Sequence, residues 1–470
     1  MSSPASPSPS TPSGPSGTGT GTASGAGEGT HLNRTLHLHS LVLFGLAYLA
    51  PMIVLGIFGV IAEETGGAST AAYLLALVAM LFTANSYGRM ARAIPGAGSA
   101  YTYVRRTIDS RVGFLVGWGT MLDYIFLPMV IWLIGASYLQ AQFPGVPGWI
   151  WIVVYIALTS VLNVIGIRVA DRVNFVLMVF QLLVIVVFVA LSAASVLGGQ
   201  GTGSLISSSP FTGENSSLAQ ISAGAAVAAY SFLGFDAVTT LSEETVDPRR
   251  TVPRAILLVA LIGGGIFLVV TYVTQLVHPG GTFTEADSAA FDIAKTIGGN
   301  LFSAIFLAGL VIAQFTSGLA AQASGSRLMF AMGRDGVLPR RFFGRVHPRF
   351  QTPWLSIVAI GVIGLIAVFL DVATSTSFVN FGAFVAFGMV NLSVIVRAVR
   401  ARRTGEPVNV LLDVVFPAIG FLVIAYLLTQ LDSNALTLGG IWLVIGVIVL
   451  TVITRGFRRQ PPEVKAEDAA

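Results

Sequence analysis

The chain has 470 residues, of which 54% are hydrophobic and only 10% charged. Soluble domains carry about a quarter charged residues, so this composition excludes an ordinary soluble enzyme. Cysteine is absent, which excludes a disulfide framework, thiolate metal sites and a cysteine nucleophile. His31, His37, His278 and His347 lie outside the apolar runs and His39 at the very edge of the first, so no metal and no cofactor is expected. A net charge of +4 would suit a nucleic-acid binder, but the placement of the charges argues otherwise.

Residues 1–30 are mostly Pro, Ser, Gly, Thr and Ala, with Glu28 their one charge. Such a segment buries too little apolar surface to offset its ordering entropy. Residues 1–35 are therefore expected to be a disordered cytoplasmic tail. They lack the basic start and apolar core of a secretory signal. From residue 38 the chain becomes a series of apolar runs near the ~20 residues that cross a bilayer. Twelve are counted: 38–62, 70–91, 111–141, 149–168, 173–197, 217–243, 253–277, 297–330, 353–370, 375–396, 409–430 and 434–455. Residues 36–455 are read as one membrane domain, and 456–470 as a cytoplasmic C-terminal tail.

Alternating the connecting segments between two sides tests that count. With both termini inside, 25 of the 26 basic residues fall inside and only Lys295 falls outside. A wrong span count would scramble this partition, because cytoplasmic loops are the ones enriched in Lys and Arg. The charges are thus topology signals. The expected fold class is an all-α integral membrane protein with twelve transmembrane helices.

Two acids sit well inside the apolar runs, away from their ends: Asp123 in the third and Asp236 in the sixth. An acid at membrane depth costs roughly 2.5–3.5 kcal/mol on insertion scales. Neither has a Lys or Arg near mid-span, so a cationic substrate or a proton is the natural partner. The other reading is structural: a carboxylate that caps loose helix ends. Asp123 is followed by Tyr124, and an acid beside an aromatic ring suits an ammonium ion. Two runs also carry helix breaks. The first reads Ala47-Tyr48-Leu49-Ala50-Pro51-Met52, and Pro51 has no N–H to give the preceding turn. The sixth reads Tyr230-Ser231-Phe232-Leu233-Gly234-Phe235-Asp236. Paired interruptions in the two halves of a chain mark a transporter binding site. Tyr48, Tyr230 and Phe232 sit at these breaks as candidate aromatic gates, with packing as the alternative. Thr240, Glu243 and Glu244 follow Asp236 at helical spacing. They outline a proton path, or else they pair with Arg249, Arg250 or Arg254 at the membrane edge. No Ser–His–Asp set can be assembled at one depth, so no enzyme is expected.

These segments resemble the amino acid–polyamine–organocation superfamily of permeases, and within it the bacterial putrescine importers. The resemblance covers roughly residues 36–455. It rests on Gly45-Leu46-Ala47-Tyr48-Leu49, Ala97-Gly98-Ser99-Ala100-Tyr101-Thr102-Tyr103, Leu122-Asp123-Tyr124, Ser231 through Thr245, Met332-Gly333-Arg334-Asp335 and Asn380-Phe381-Gly382-Ala383. It implies a LeuT-like five-plus-five inverted repeat with two extra helices, and secondary active uptake driven by protons. It implies that the broken first and sixth spans line the substrate site, that Asp236 handles a proton or an amine, and that Tyr230 is an aromatic gate. The chain departs from amino-acid carriers in two ways. Met52-Ile53-Val54 stands where they place small residues and Gly that seat a carboxylate. Gln181 stands where some relatives have a proton-carrying Lys. A sodium ion near Thr316 and Ser317 is an alternative coupling ion.

The expectation is a cell-membrane symporter for putrescine or a similar diamine. Asp123, Tyr124, Asp236, Tyr230, Phe232 and Tyr48 would bind substrate, and Asp236 and Glu243 would couple the proton. Its partners would be a small cationic substrate, the coupling proton and the bilayer, with no nucleic acid. The rivals are an amino-acid permease, an amine or amino-acid exchanger, and a non-transporting amine sensor.

Overall fold

The computed structural model describes residues 35–94, 100–166, 171–242, 244–334 and 338–461. The expected N-terminal tail lies outside these residues except for Thr35, and so do Glu243, Asp335 and the motif residues Ala97 to Ser99. The described chain is helical, with a single isolated bridge between Leu36 and Thr245.

Eleven helices among the described residues are long and apolar enough to cross a membrane. The twelfth candidate, Trp354–Phe369, is shorter. It is the ninth span in chain order, and its last turns tighten into a 3-10 helix over Leu365–Phe369. The other spans follow the apolar runs. The second is Ser69–Ala93, the third Ser110–Gln142 and the fourth Gly148–Ile165. The fifth is Asp171–Leu197, the seventh Pro248–Val277 and the tenth Val372–Arg403. The eleventh is Leu411–Val415 running into Phe416–Thr429, and the twelfth is Ser433–Ile453. The eighth belongs to the long segment Ala289–Arg334, which kinks at Gly299. A short helix, Ala100–Thr107, joins the second span to the third.

The span ends carry their own start signals. Asp109, Asp371 and Asp432 accept hydrogen bonds from the first free backbone N–H groups of the third, tenth and twelfth spans. Ser217 and Gln220 form a reciprocal capping box at the start of the sixth.

The sixth, tenth and third spans are the most buried, and the twelfth the least. Large apolar side chains such as Leu183, Val186, Val362 and Val452 face outward. On a soluble protein this exposure would be a fault; here the surrounding solvent is lipid.

The first and sixth spans are discontinuous. The first runs Leu38–Leu49, breaks, and resumes as Ile53–Gly56 and Phe58–Glu64. The sixth runs Leu218–Ala228, tightens over Ala229–Phe232, breaks, and resumes as a 3-10 segment, Phe235–Leu241. Each break opens one five-span half, and the fold is the LeuT-like inverted repeat with two further helices. The arginine-rich segments mark one side of the bundle, called the basic side below.

Candidate functional site

The first break is made by Ala50, whose left-handed backbone (φ 46°) turns the chain ahead of Pro51. Pro51 gives no N–H, so the helix cannot carry through. The second break is made by Gly234 at φ 108°. The two breaks touch. A Cβ on Gly234 would overlap the Tyr48 ring, so this position needs glycine for its backbone angle and for the close approach.

Breaking a helix inside a membrane frees backbone groups that lipid cannot satisfy. Side chains from other spans take them up. Asn380 in the tenth span donates to the Ala226 carbonyl, just before the sixth-span break, at 2.7 Å. Tyr138 in the third span donates to the Leu55 carbonyl of the first at 2.5 Å. A contact between side chains braces the same break, where the Tyr73 hydroxyl of the second span hydrogen-bonds the Ser231 hydroxyl of the sixth at 2.9 Å. Pro128 leaves the Tyr124 carbonyl without its helical partner, and Gly325 of the eighth span packs against that carbonyl.

A cavity of about 300 Å³ lies at the breaks. Tyr48, Ala50 and Pro51 line it from the first span, Tyr230 and Leu233 from the sixth, and Leu127 and Ile131 from the third. Gln181 of the fifth span and Gln314, Thr316 and Ser317 of the eighth complete it. Phe44 and Ser324, on the halves of the first and eighth spans nearer the basic side, also line it. Gln181 is buried, and its side-chain oxygen has no hydrogen-bond partner among the described residues. The Thr316 hydroxyl is spent on the carbonyls of Ile312 and Ala313.

Of the expected site residues, Tyr48 and Tyr230 line this cavity, while Asp123, Tyr124 and Asp236 are not among its lining residues. Asp123 and Asp236 interact electrostatically with each other. Tyr48 and Tyr124 interact with both acids, and Tyr230 with Asp123. Asp123, Tyr124, Asp236 and Tyr48 all stay partly accessible at mid-span. One carboxylate oxygen of Asp123 is buried with no hydrogen-bond partner among the described residues. Asp236 stands in the first turn of the 3-10 segment, beside the backbone amides of Gly234 and Ala237. A carboxylate is favoured at such a helix start.

Phe232 is not brought to the cavity. Its ring packs edge-on against Phe267 of the seventh span, centroids 5.2 Å apart, and is fully buried. The 3-10 winding also changes which residues follow Asp236 on its face. At three residues per turn the i+3 position is Thr239, not Thr240. Thr239 is buried and Thr240 is exposed. The sequence alone had offered an α-helical spacing. Tyr87 of the second span and Tyr103 of the connecting helix also reach toward Asp236 electrostatically. Tyr103 belongs to the Ala97 to Tyr103 motif, but no sequence pattern linked it or Tyr87 to Asp236.

Comparison with known proteins agrees with this architecture. Residues 40–453 match the amino acid permease family. The chain is 40% identical to the low-affinity putrescine importer PlaP of Escherichia coli (strain K12), over 92% of this chain and 96% of that protein. It is 27% identical to a methylthioribose transporter of Bacillus subtilis (strain 168), over 90% and 94% of the two chains. It is 25% identical to the branched-chain amino acid permease BcaP of the same organism, again over 90% and 94%. With two broken helices meeting at a cavity and a family match across nearly all its spans, the chain belongs to the amino acid permease family, whose members are membrane transporters and not enzymes.

Proposed function

We propose that this permease imports putrescine or a similar small diamine across the cytoplasmic membrane by symport with a proton. The observation that carries the reading is the pair of mid-span acids, Asp123 and Asp236, both in electrostatic reach of Tyr48, which lines the cavity at the helix breaks. A diamine has two ammonium groups to offer them and no carboxylate to seat. Met52-Ile53-Val54 at the first break suits that absence, because these bulky residues leave no open backbone cradle for a carboxylate. The 40% identity to a putrescine importer supports the same substrate class.

In this reading Asp123 holds one ammonium, with Tyr48, Tyr124 and Tyr230 flanking the methylene chain. Asp236 takes the other ammonium or the coupling proton, and Glu243 passes the proton toward the basic side. Both termini, and the tails 1–35 and 456–470, lie in the cytoplasm. The basic side is then the cytoplasmic one, and the cavity faces inward. Substrate release would follow from this state, and rocking of one half against the other would reopen the site outward.

The test is labelled putrescine uptake into proteoliposomes with and without an imposed proton gradient. Gradient-dependent accumulation is expected, and Asp236→Asn should abolish it. Normal uphill uptake by that variant would remove Asp236 from the coupling role.

The amide side chains of Gln181 and Gln314 in the cavity favour a second reading, an amino-acid permease or exchanger. Neutral and cationic amino acids competing better than diamines would select it. Binding of an amine without any accumulation would instead point to a sensor.

A further inference from the structure

Tyr87 and Tyr103 come from different elements, yet their rings meet edge to face with centroids 6.1 Å apart. The Tyr87 ring also packs edge-on against Phe235, the neighbour of Asp236, at 5.6 Å, and against Phe387 of the tenth span at 5.9 Å. Phe235 and Phe387 close the ring of contacts at 5.3 Å. An aromatic wall therefore stands beside Asp236, on the side formed by the second and tenth spans.

Both tyrosines are fully buried, and neither hydroxyl has a hydrogen-bond partner among the described residues. Each faces a near miss. Tyr87 faces the Asp236 carboxylate and Tyr103 faces the Thr239 hydroxyl, and neither approach closes to hydrogen-bond geometry. A buried hydroxyl left unpaired carries a desolvation penalty that a phenylalanine would avoid. Here two such hydroxyls stand near one acid.

An ammonium group is a donor suited to these oxygens. It has three N–H donors and no acceptor. The Asp236 carboxylate and two phenolic oxygens are three acceptors, and aromatic rings add attraction for a cation. Asp123 is in electrostatic reach of the cavity-lining residues Tyr48 and Tyr230. Tyr48 and Tyr124 interact electrostatically with both acids.

We propose that Asp236, Tyr87 and Tyr103 form a second ammonium station, which takes the far end of a diamine whose near end is held at Asp123. This rests on the diamine reading above. Tyr87 and Tyr103 then set the preference for a diamine over a monoamine of the same length, since a single ammonium can settle at Asp123 alone.

The test is equilibrium binding of putrescine and of n-butylamine to the purified full-length protein, comparing wild type with Tyr87→Phe and Tyr103→Phe. These substitutions keep the ring packing and remove only hydroxyls that are unpaired here, so the melting temperature should not fall. Each variant should lose about ten-fold or more in putrescine affinity and much less in butylamine affinity, the size expected for a hydrogen bond to a charged group. Unchanged putrescine binding would mean the hydroxyls hold only water, and equal losses for both amines would mean a structural role; either overturns the second station. A wild type that binds putrescine while the variants fail in one of these ways leaves the diamine reading standing. A wild type that binds no diamine sinks that reading and the station with it.

Discussion

A carboxylate in the middle of a membrane protein is tolerated only when something compensates its charge. Asp123 has a buried oxygen with no hydrogen-bond partner among the described residues. This gives Asp123→Asn a signature with two parts. Without ligand the variant should melt at the same temperature as wild type or higher, because the substitution removes an uncompensated charge. With putrescine the wild type should gain stability by mass action, and the variant should lose most of that gain. Thermal melts with and without the amine read both. A variant that melts lower when empty, yet still responds fully to putrescine, would make Asp123 a structural acid.

At the scale of the element, a broken helix is an open account of backbone groups, and the partners come from elsewhere in the chain. Asn380 serves the sixth-span break from the tenth span and is fully buried. Asn380→Ala would leave the Ala226 carbonyl unpaired, at a cost of about 1–3 kcal/mol. It should lower the melting temperature and slow transport together. Restoring either property alone by adding substrate would show that the contact does not hold the break. The breaks themselves were legible in the sequence, since Pro51 and Gly234 interrupt apolar runs in corresponding halves. Their partners were not. Asn380 and Ala226 are 154 residues apart, and no local pattern links them. The same limit explains Phe232, which stands next to the break in sequence but turns toward Phe267 of the seventh span. It also explains Tyr87 and Tyr103, whose meaning depends on what they meet. Asp123 and Asp236 were legible because a mid-span acid is costly wherever it points, so composition alone marks it.

On the scale of the whole molecule, the basic side is held by ionic contacts as well as packing. Asp413, nearly fully buried, pairs with Arg89 of the second span and Arg397 of the tenth. The partition of arginines predicts that this side faces the cytoplasm, and the span count can be tested with it. The ninth span is the weak point. Eleven α-helical residues and five 3-10 residues span roughly 26 Å, a little short of the ~30 Å hydrocarbon core. Tilt is not available to a short helix, so the bilayer must thin around it or the helix must stop short of crossing. The absence of native cysteine makes the wild type a blank for thiol labelling. Ser204→Cys sits in an exposed segment between the fifth and sixth spans, and Glu406→Cys in one between the tenth and eleventh. Five spans separate them, so they belong on opposite sides. In intact cells a membrane-impermeant maleimide should label Ser204→Cys directly and Glu406→Cys only after permeabilisation. The reverse pattern would invert the orientation. Labelling of both from the same side would mean that Trp354–Phe369 does not cross, because removing one span from the five brings the two positions to one face.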